Sequence, residues 1–112
     1  MTPEGQVKQR VNKTLDKYGV YRFMPVQMGM GSPGLDYYCC WYGAFFAIET
    51  KAPGKKLTAR QEITKEKIEA AGGMVFVIDG TDWSFTRLEI WLDAKKRAHD
   101  REQGNDCPRT EP

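Results

Sequence analysis

Asp36-Tyr37-Tyr38-Cys39-Cys40-Trp41-Tyr42-Gly43-Ala44-Phe45-Phe46-Ala47-Ile48-Glu49-Thr50-Lys51 is the stretch on which the fold turns. Two apolar, aromatic-rich runs meet at Tyr42-Gly43, the pattern of a β-hairpin. An x-Gly pair makes a two-residue turn, although Tyr is a poorer first residue than Asn or Asp. Counting outward pairs Trp41 with Ala44, Tyr38 with Ala47, and Asp36 with Glu49; a four-residue loop on the same centre keeps that register. Two carboxylates then face each other with Cβ atoms about 5 Å apart, where like charges destabilise a sheet. Something positive is expected between them. Lys51 lies two residues beyond Glu49, on the same face by the period of two, while Ile48 and Thr50 point the other way. Converging carboxylates with a lysine beside them make a site for a divalent cation, since carboxylate oxygens are what Mg²⁺ or Mn²⁺ prefers. Such an ion activates water and offsets charge at a phosphoryl centre. The lysine orients that water or stabilises transition-state charge.

Each part of the pattern is common by itself. Glu-x-Lys is usually a solvated surface pair, and an Asp at a strand start is usually a turn residue. The combination in hairpin register is what sets it apart. Asp36 followed by Glu49-Thr50-Lys51 on the next strand resembles the PD-(D/E)xK nuclease signature. The flanks narrow the resemblance. Gly31-Ser32-Pro33-Gly34-Leu35-Asp36 before the hairpin, and the run from Lys51-Ala52-Pro53-Gly54-Lys55-Lys56 to Gln61 after it, are similar to the VRR-NUC family, in particular its stand-alone phage-type members. The similarity covers roughly residues 2 to 92. One departure is visible: the family usually has Pro directly before the Asp, where this chain has Leu35, with Pro33 two positions earlier.

The resemblance implies a restriction-endonuclease-like core and a Mg²⁺- or Mn²⁺-dependent endodeoxyribonuclease. Asp36 and Glu49 are then metal ligands, with the backbone carbonyl of Thr50 as a third, and Lys51 positions or activates the attacking water. Related Holliday-junction resolvases carry a first-helix Glu at the metal site, which would be Glu4 here. Equally, Glu4 only complements the helix dipole. The family has a Gln near the active site at the place of Gln61, and Gln61 is also explained as a helix cap. The resemblance further implies branched DNA such as a four-way junction as substrate, and a homodimer. The rival reading is a non-catalytic nucleic-acid-binding module that kept the nuclease fold.

Composition sets bounds. The 112 residues suggest one domain with a modest core. Hydrophobic residues at 40% and charged residues at 29% are an ordinary soluble balance. A net charge of +2 does not announce nucleic-acid binding, so any basic surface must be local. No apolar run is long enough to span a membrane, and no signal peptide is visible. The expected compartment is cytoplasmic, the host cytoplasm if the chain is phage-encoded. Three cysteines do not close a disulfide set. Cys39 and Cys40 point to opposite faces of one strand, and Cys107 lies in a polar tail, so reduced thiols are expected. His99 stands alone, and no zinc pattern or small-molecule cofactor is indicated.

Outward from the hairpin, Thr2-Pro3-Glu4 opens a helix with Thr as N-cap. Val7, Val11 and Leu15 form its apolar stripe, Lys8, Arg10, Lys13 and Lys17 its basic remainder, and Gly19 its stop. Val20 to Val26 reads as a strand, placed at an edge or ending by Pro25. Residues 27–35 read as a loop that delivers Asp36. After Lys51, Ala52-Pro53-Gly54 breaks the strand; Lys55, Lys56 and Arg60 are either a solvated basic loop or phosphate contacts beside the site. Thr58 to Gln61 is a capping box opening a second helix, anchored by Ile63 and Ile68. Met74 to Ile78 reads as a strand buried on both faces, and the strand–helix–strand order implies parallel pairing with the strand ending at Lys51. Asp82 or Ser84 starts a last helix with Leu88, Trp91 and Leu92 facing the core. Tyr37, Trp41, Trp83 and Phe85 either fill the core or form an apolar dimer patch, and Tyr38 joins Tyr37 and Trp41 as aromatics that could serve a protein–protein surface. The expected order is αβββαβα, a mixed sheet flanked by helices: one domain over 1–102 and a disordered tail over 103–112.

Overall fold

The computed structural model describes residues 1–26 and 34–104. Most of the expected glycine-containing loop, Cys107 and nearly all of the expected tail lie outside those residues. The element order is α1 (Pro3–Tyr18), β1 (Tyr21–Phe23), β2 (Tyr37–Trp41), β3 (Ala44–Thr50), α2 (Ala59–Ala70), β4 (Met74–Ile78) and α3 (Asp82–Glu102). This is the αβββαβα order expected from the sequence. The strands form one mixed sheet in the order β1-β2-β3-β4. β1–β2 and β2–β3 are antiparallel, and β3–β4 is parallel.

The hairpin register is the one counted from Tyr42-Gly43: Trp41 pairs with Ala44 and Tyr38 with Ala47. Both turn residues take positive φ, 49° at Tyr42 and 81° at Gly43. A type I′ turn requires this of both central residues, and its twist matches that of the flanking strands. Tyr42 is offset by its ring, which packs edge-on against Trp41 at 4.5 Å and lies 4.6 Å from the ring of His99 on α3. The hairpin tip is thereby docked on the last helix.

Period-two alternation divides the sheet into two layers. One face carries Tyr37, Cys39, Trp41, Phe46, Ile48, Phe76 and Ile78. It packs against Val7, Val11 and Leu15 of α1 and Phe85, Leu88 and Leu92 of α3, forming the main core. Trp41 buries its ring there and donates its indole N–H to the Leu92 carbonyl at 2.9 Å. The other face holds a smaller cluster of Leu35, Ala47 and Val75, with Ile68 of α2 against it. Removing a ring such as Phe46, which is fully buried, costs about 3–5 kcal/mol at such a site.

Helix ends follow the sequence closely at α1 and α2. Thr2 accepts from Gly5 N–H, Gly19 closes α1 in the left-handed region, and Thr58 with Gln61 makes a complete capping box. α3 begins at Asp82, one of the two expected starts, and its N-cap is Thr81. Asp79 accepts from both the N–H and the hydroxyl of Thr81, which fixes that threonine as the cap.

Several expectations are corrected. β1 spans three residues rather than the whole of 20–26. Ile63 does not anchor α2 but is exposed, and α2 buries no residue fully. Tyr37, Trp41 and Phe85 are buried in the main core and offer no surface; of the aromatics named for a patch, only Trp83 is strongly exposed, at 66%. A small sheet with two helices on one side needs these rings to fill the layer between them. Among the described residues, no helix is long and apolar enough to cross a membrane.

Candidate metal centre

The site lies where β2 begins and β3 ends, at the opposite end of the sheet from the Tyr42-Gly43 turn. β3 delivers Glu49, Thr50 and Lys51 in succession. Glu49 lies on the α2 face, opposite in direction to Ile48. It is 3% exposed, which is rare for an acid. Both of its oxygens are held. Asp36 N–H donates to Oε1 at 3.0 Å, and Gln61 Nε2 donates to Oε2 at 2.7 Å. Lys51 Nζ lies 3.8 Å from the same Oε2. Burial, then the neighbouring Asp36 charge, push the Glu49 carboxyl up to about 7. Ionising it removes a charge from water beside another of the same sign.

Asp36 occupies a bend just before β2, so its orientation is not set by the pleat. Its Oδ2 accepts two bonds from Thr50, from the backbone N–H at 2.9 Å and from the hydroxyl at 2.6 Å. Its Oδ1 faces Lys8 Nζ of α1 at 3.7 Å. The two carboxylates are therefore connected through Asp36's own N–H, and the Asp36 carboxylate also engages the α1 side of the sheet. The charge problem anticipated from the register is met by two lysines, Lys51 against Glu49 and Lys8 against Asp36.

Thr50 joins the two. Lys51 N–H donates to the Ile78 carbonyl, toward β4. Peptide groups alternate in direction along a strand. The N–H and C=O of Thr50 therefore point toward the β2 side, where Asp36 lies, as the bond from Thr50 N–H to Asp36 confirms. That is the direction a carbonyl ligand at this centre needs.

Leu35, where the resembled family has Pro, donates its N–H to Tyr38 Oη at 2.9 Å and is 1% exposed in the smaller core cluster. Proline would lack that N–H. Leu35, directly before Asp36, is thus held by an apolar anchor and a hydrogen bond.

Gln61 serves the helix and the site at once. Its Oε1 accepts from Thr58 N–H at 2.9 Å while its Nε2 holds Glu49. Glu4 reaches the site through Lys8, whose Nζ lies 3.7 Å from Glu4 Oε2. Among the described residues, no group of three or more His, Cys, Asp or Glu side chains is placed to hold a metal ion. A cation here would thus rest on two carboxylates completed by backbone, water or substrate oxygens. Lys55, Lys56 and Arg60 are exposed. The first belongs to the turn closed by Lys55 N–H to Ala52 C=O at 3.0 Å, directly after Lys51. Arg60 is in the first turn of α2, next to Gln61.

Sequence reasoning missed Lys8 and the Thr50 hydroxyl. The first left a signal, the i,i+4 spacing of Glu4 and Lys8 on one helix face. A surface cleft of about 920 Å³ lies elsewhere, between the hairpin tip, the C-terminal end of α2 and α3. It carries Lys67, Lys95 and His99 but no pair of carboxylates, so this cleft and the candidate chemistry do not coincide.

No family model matches the chain, and no curated protein and no solved structure matches it.

Proposed function

We propose that this chain is a Mg²⁺- or Mn²⁺-dependent endodeoxyribonuclease of the PD-(D/E)xK type, on a restriction-endonuclease-like core that resembles the VRR-NUC family. The observation that carries the proposal is the bonded unit of Asp36, Glu49, Thr50, Lys51 and Gln61 at one end of the sheet. A purely structural ion pair does not call for it. Burying Glu49 beside Asp36 costs stability, and a hydrophobic residue would fill that position more cheaply.

The donor set fits a hard divalent cation. Asp36 and Glu49 offer carboxylate oxygens, and the Thr50 carbonyl points to the same side. Glu49 is held near neutrality by burial and by Asp36, a cost that a dication beside both groups removes. Bound there, such an ion supplies Lewis acidity at phosphorus and a water of lowered pKa. The protein's own part is positional. Asp36 N–H and Gln61 fix both oxygens of Glu49, so little reorganisation remains for the reaction. Lys51 keeps an ammonium 3.8 Å from Glu49 Oε2, ready to orient water or stabilise charge on the phosphoryl oxygens. Lys55, Lys56 and Arg60 flank the site as phosphate contacts. The proposal extends to branched DNA, such as a four-way junction, cut by a homodimer.

Cleavage of an end-labelled four-way junction in Mg²⁺ or Mn²⁺ tests it. Asp36→Asn should keep the fold, because Asn still offers an acceptor to Thr50, and should lose cleavage by at least about 100-fold, more than lesions behind metal ligands typically cost. Undiminished cleavage by that variant removes Asp36 from the chemistry. A wild-type protein that binds the junction but never cuts it establishes the non-catalytic module instead.

A further inference from the structure

Lys8 belongs to no part of the nuclease signature, yet its ammonium faces a carboxylate oxygen of the site, Asp36 Oδ1. Asp36 Oδ2 is committed to two bonds from Thr50. An ion that binds Asp36 without breaking them must use Oδ1, and Oδ1 is the atom that Lys8 faces at 3.7 Å. The same Nζ stands 3.7 Å from Glu4 Oε2. Both separations exceed the 2.7–2.9 Å of a charge-assisted hydrogen bond, so the ammonium is held mainly by the field of the two acids and leaves them easily. Its backbone, by contrast, is fixed. The buried Tyr37 hydroxyl donates to Asn12 Oδ1 at 2.9 Å and lies 3.3 Å from the Lys8 carbonyl. A shallow cleft of about 370 Å³, lined by Thr2, Pro3, Glu4, Gly5, Lys8 and Ala52, adjoins the side chain and gives it somewhere to turn.

We infer that Lys8 is a built-in competitor for the divalent cation: its ammonium neutralises Asp36 and Glu4, and a metal that takes Asp36 Oδ1 drives it away from that oxygen. An ammonium and a dication beside one carboxylate oxygen repel each other, so each weakens the other's hold on it. This rests on the metal-centre reading above. Lys8 is thus a positioning residue that sets metal affinity. Glu4 takes part by drawing the displaced lysine, which gives it a role without ligating.

Calorimetric titration with Mn²⁺, in the absence of DNA, tests this on wild type, Lys8→Met, Lys8→Arg and Lys13→Met. Lys13 is exposed on the same helix and controls for a general change in net charge. Lys8→Met should bind Mn²⁺ about tenfold more tightly, a typical size for coupling between adjacent sites. Lys8→Arg should not bind more tightly than wild type, and Lys13→Met should stay close to it. In wild type, Mg²⁺ should shift the Lys8 ε-methylene resonances and leave those of Lys13 in place, a readout that needs no variant. Equal affinity of wild type and Lys8→Met, with unmoved Lys8 resonances, overturns the competitor role and leaves the nuclease proposal intact. A wild type that takes no Mn²⁺ at all overturns both.

Discussion

Glu49 concentrates the energetic tension of this molecule. Its folded value of about 7 stands above the ordinary 4.5, through burial first and the Asp36 charge second. The native state therefore keeps a proton that the unfolded chain releases. Between about pH 4.5 and 7 the fold binds more protons than the coil, so this group makes stability fall as pH rises, and above pH 7 its effect is constant. The loss is on the order of 3 kcal/mol. Chelator-treated protein should thus show a lower urea midpoint at pH 8 than at pH 5. Asp36→Asn should shrink the difference, because the second cause is gone, and Mn²⁺ should restore the pH 8 midpoint. A midpoint that does not fall toward pH 8 contradicts the burial argument. At this scale the sequence was legible where period two governs, which is why Glu49 and Lys51 fall on one face. It was silent where a tertiary contact decides, as with Lys8 against Asp36 and the Thr50 hydroxyl.

The second helix shows how one element does two things. Gln61 caps α2 and holds Glu49, and substitutions separate the roles. Gln61→Ala removes both and should cost about 1 kcal/mol through the lost cap, besides loosening Glu49. Gln61→Glu keeps the cap, since Glu serves equally well at that position of a capping box. It also replaces a donor by a carboxylate against Glu49 Oε2, now 2.7 Å from Nε2. The expected outcome is helix capping retained, as judged by exchange protection of the Gln61 and Glu62 region, with cleavage lost and the Glu49 titration moved still higher. If Gln61→Glu cleaves normally, Gln61 is a cap alone. The capping box was visible in the sequence because its chemistry is local. The anchoring of α2 was not. Its apolar residues make no stripe, and the helix is held by Ile68 at one end and by polar bonds at the other, which leaves Ile63 outside. β1 was overextended for a similar reason: only Tyr21–Phe23 has partners in β2, and alternation cannot say where a neighbouring strand stops.

At the scale of the whole molecule, charge and symmetry set the expectations. With a net charge of only +2, the proposed binding of DNA calls for a local basic group, and Lys55, Lys56 and Arg60 beside the centre are the group it is assigned to. Lys55→Ala with Lys56→Ala should weaken junction binding and lower the slope of log K against log salt by about 0.9 per lysine. A slope unchanged in a filter-binding series would move the DNA to another face. A chain of this size carries one candidate centre, whereas opposed cuts in a four-way junction need two at a fixed separation, most simply across a two-fold axis. The buried aromatics cannot supply that interface. Exposed ones remain on the edge strand: Tyr21 at 68% and Phe23 at 57%, in a strand paired on one side by β2. Among the described residues its other edge has no strand partner, and such an edge with exposed rings favours pairing with a second copy, antiparallel about a two-fold axis. The wild type should therefore be a dimer by light scattering at micromolar concentration and should nick both strands symmetrically near the branch point. Tyr21→Lys with Phe23→Lys should fold, because neither ring belongs to a core, and should be monomeric with unpaired nicks. A wild-type monomer would remove the symmetric-cutting expectation while single-strand cleavage, if present, kept the centre itself in place.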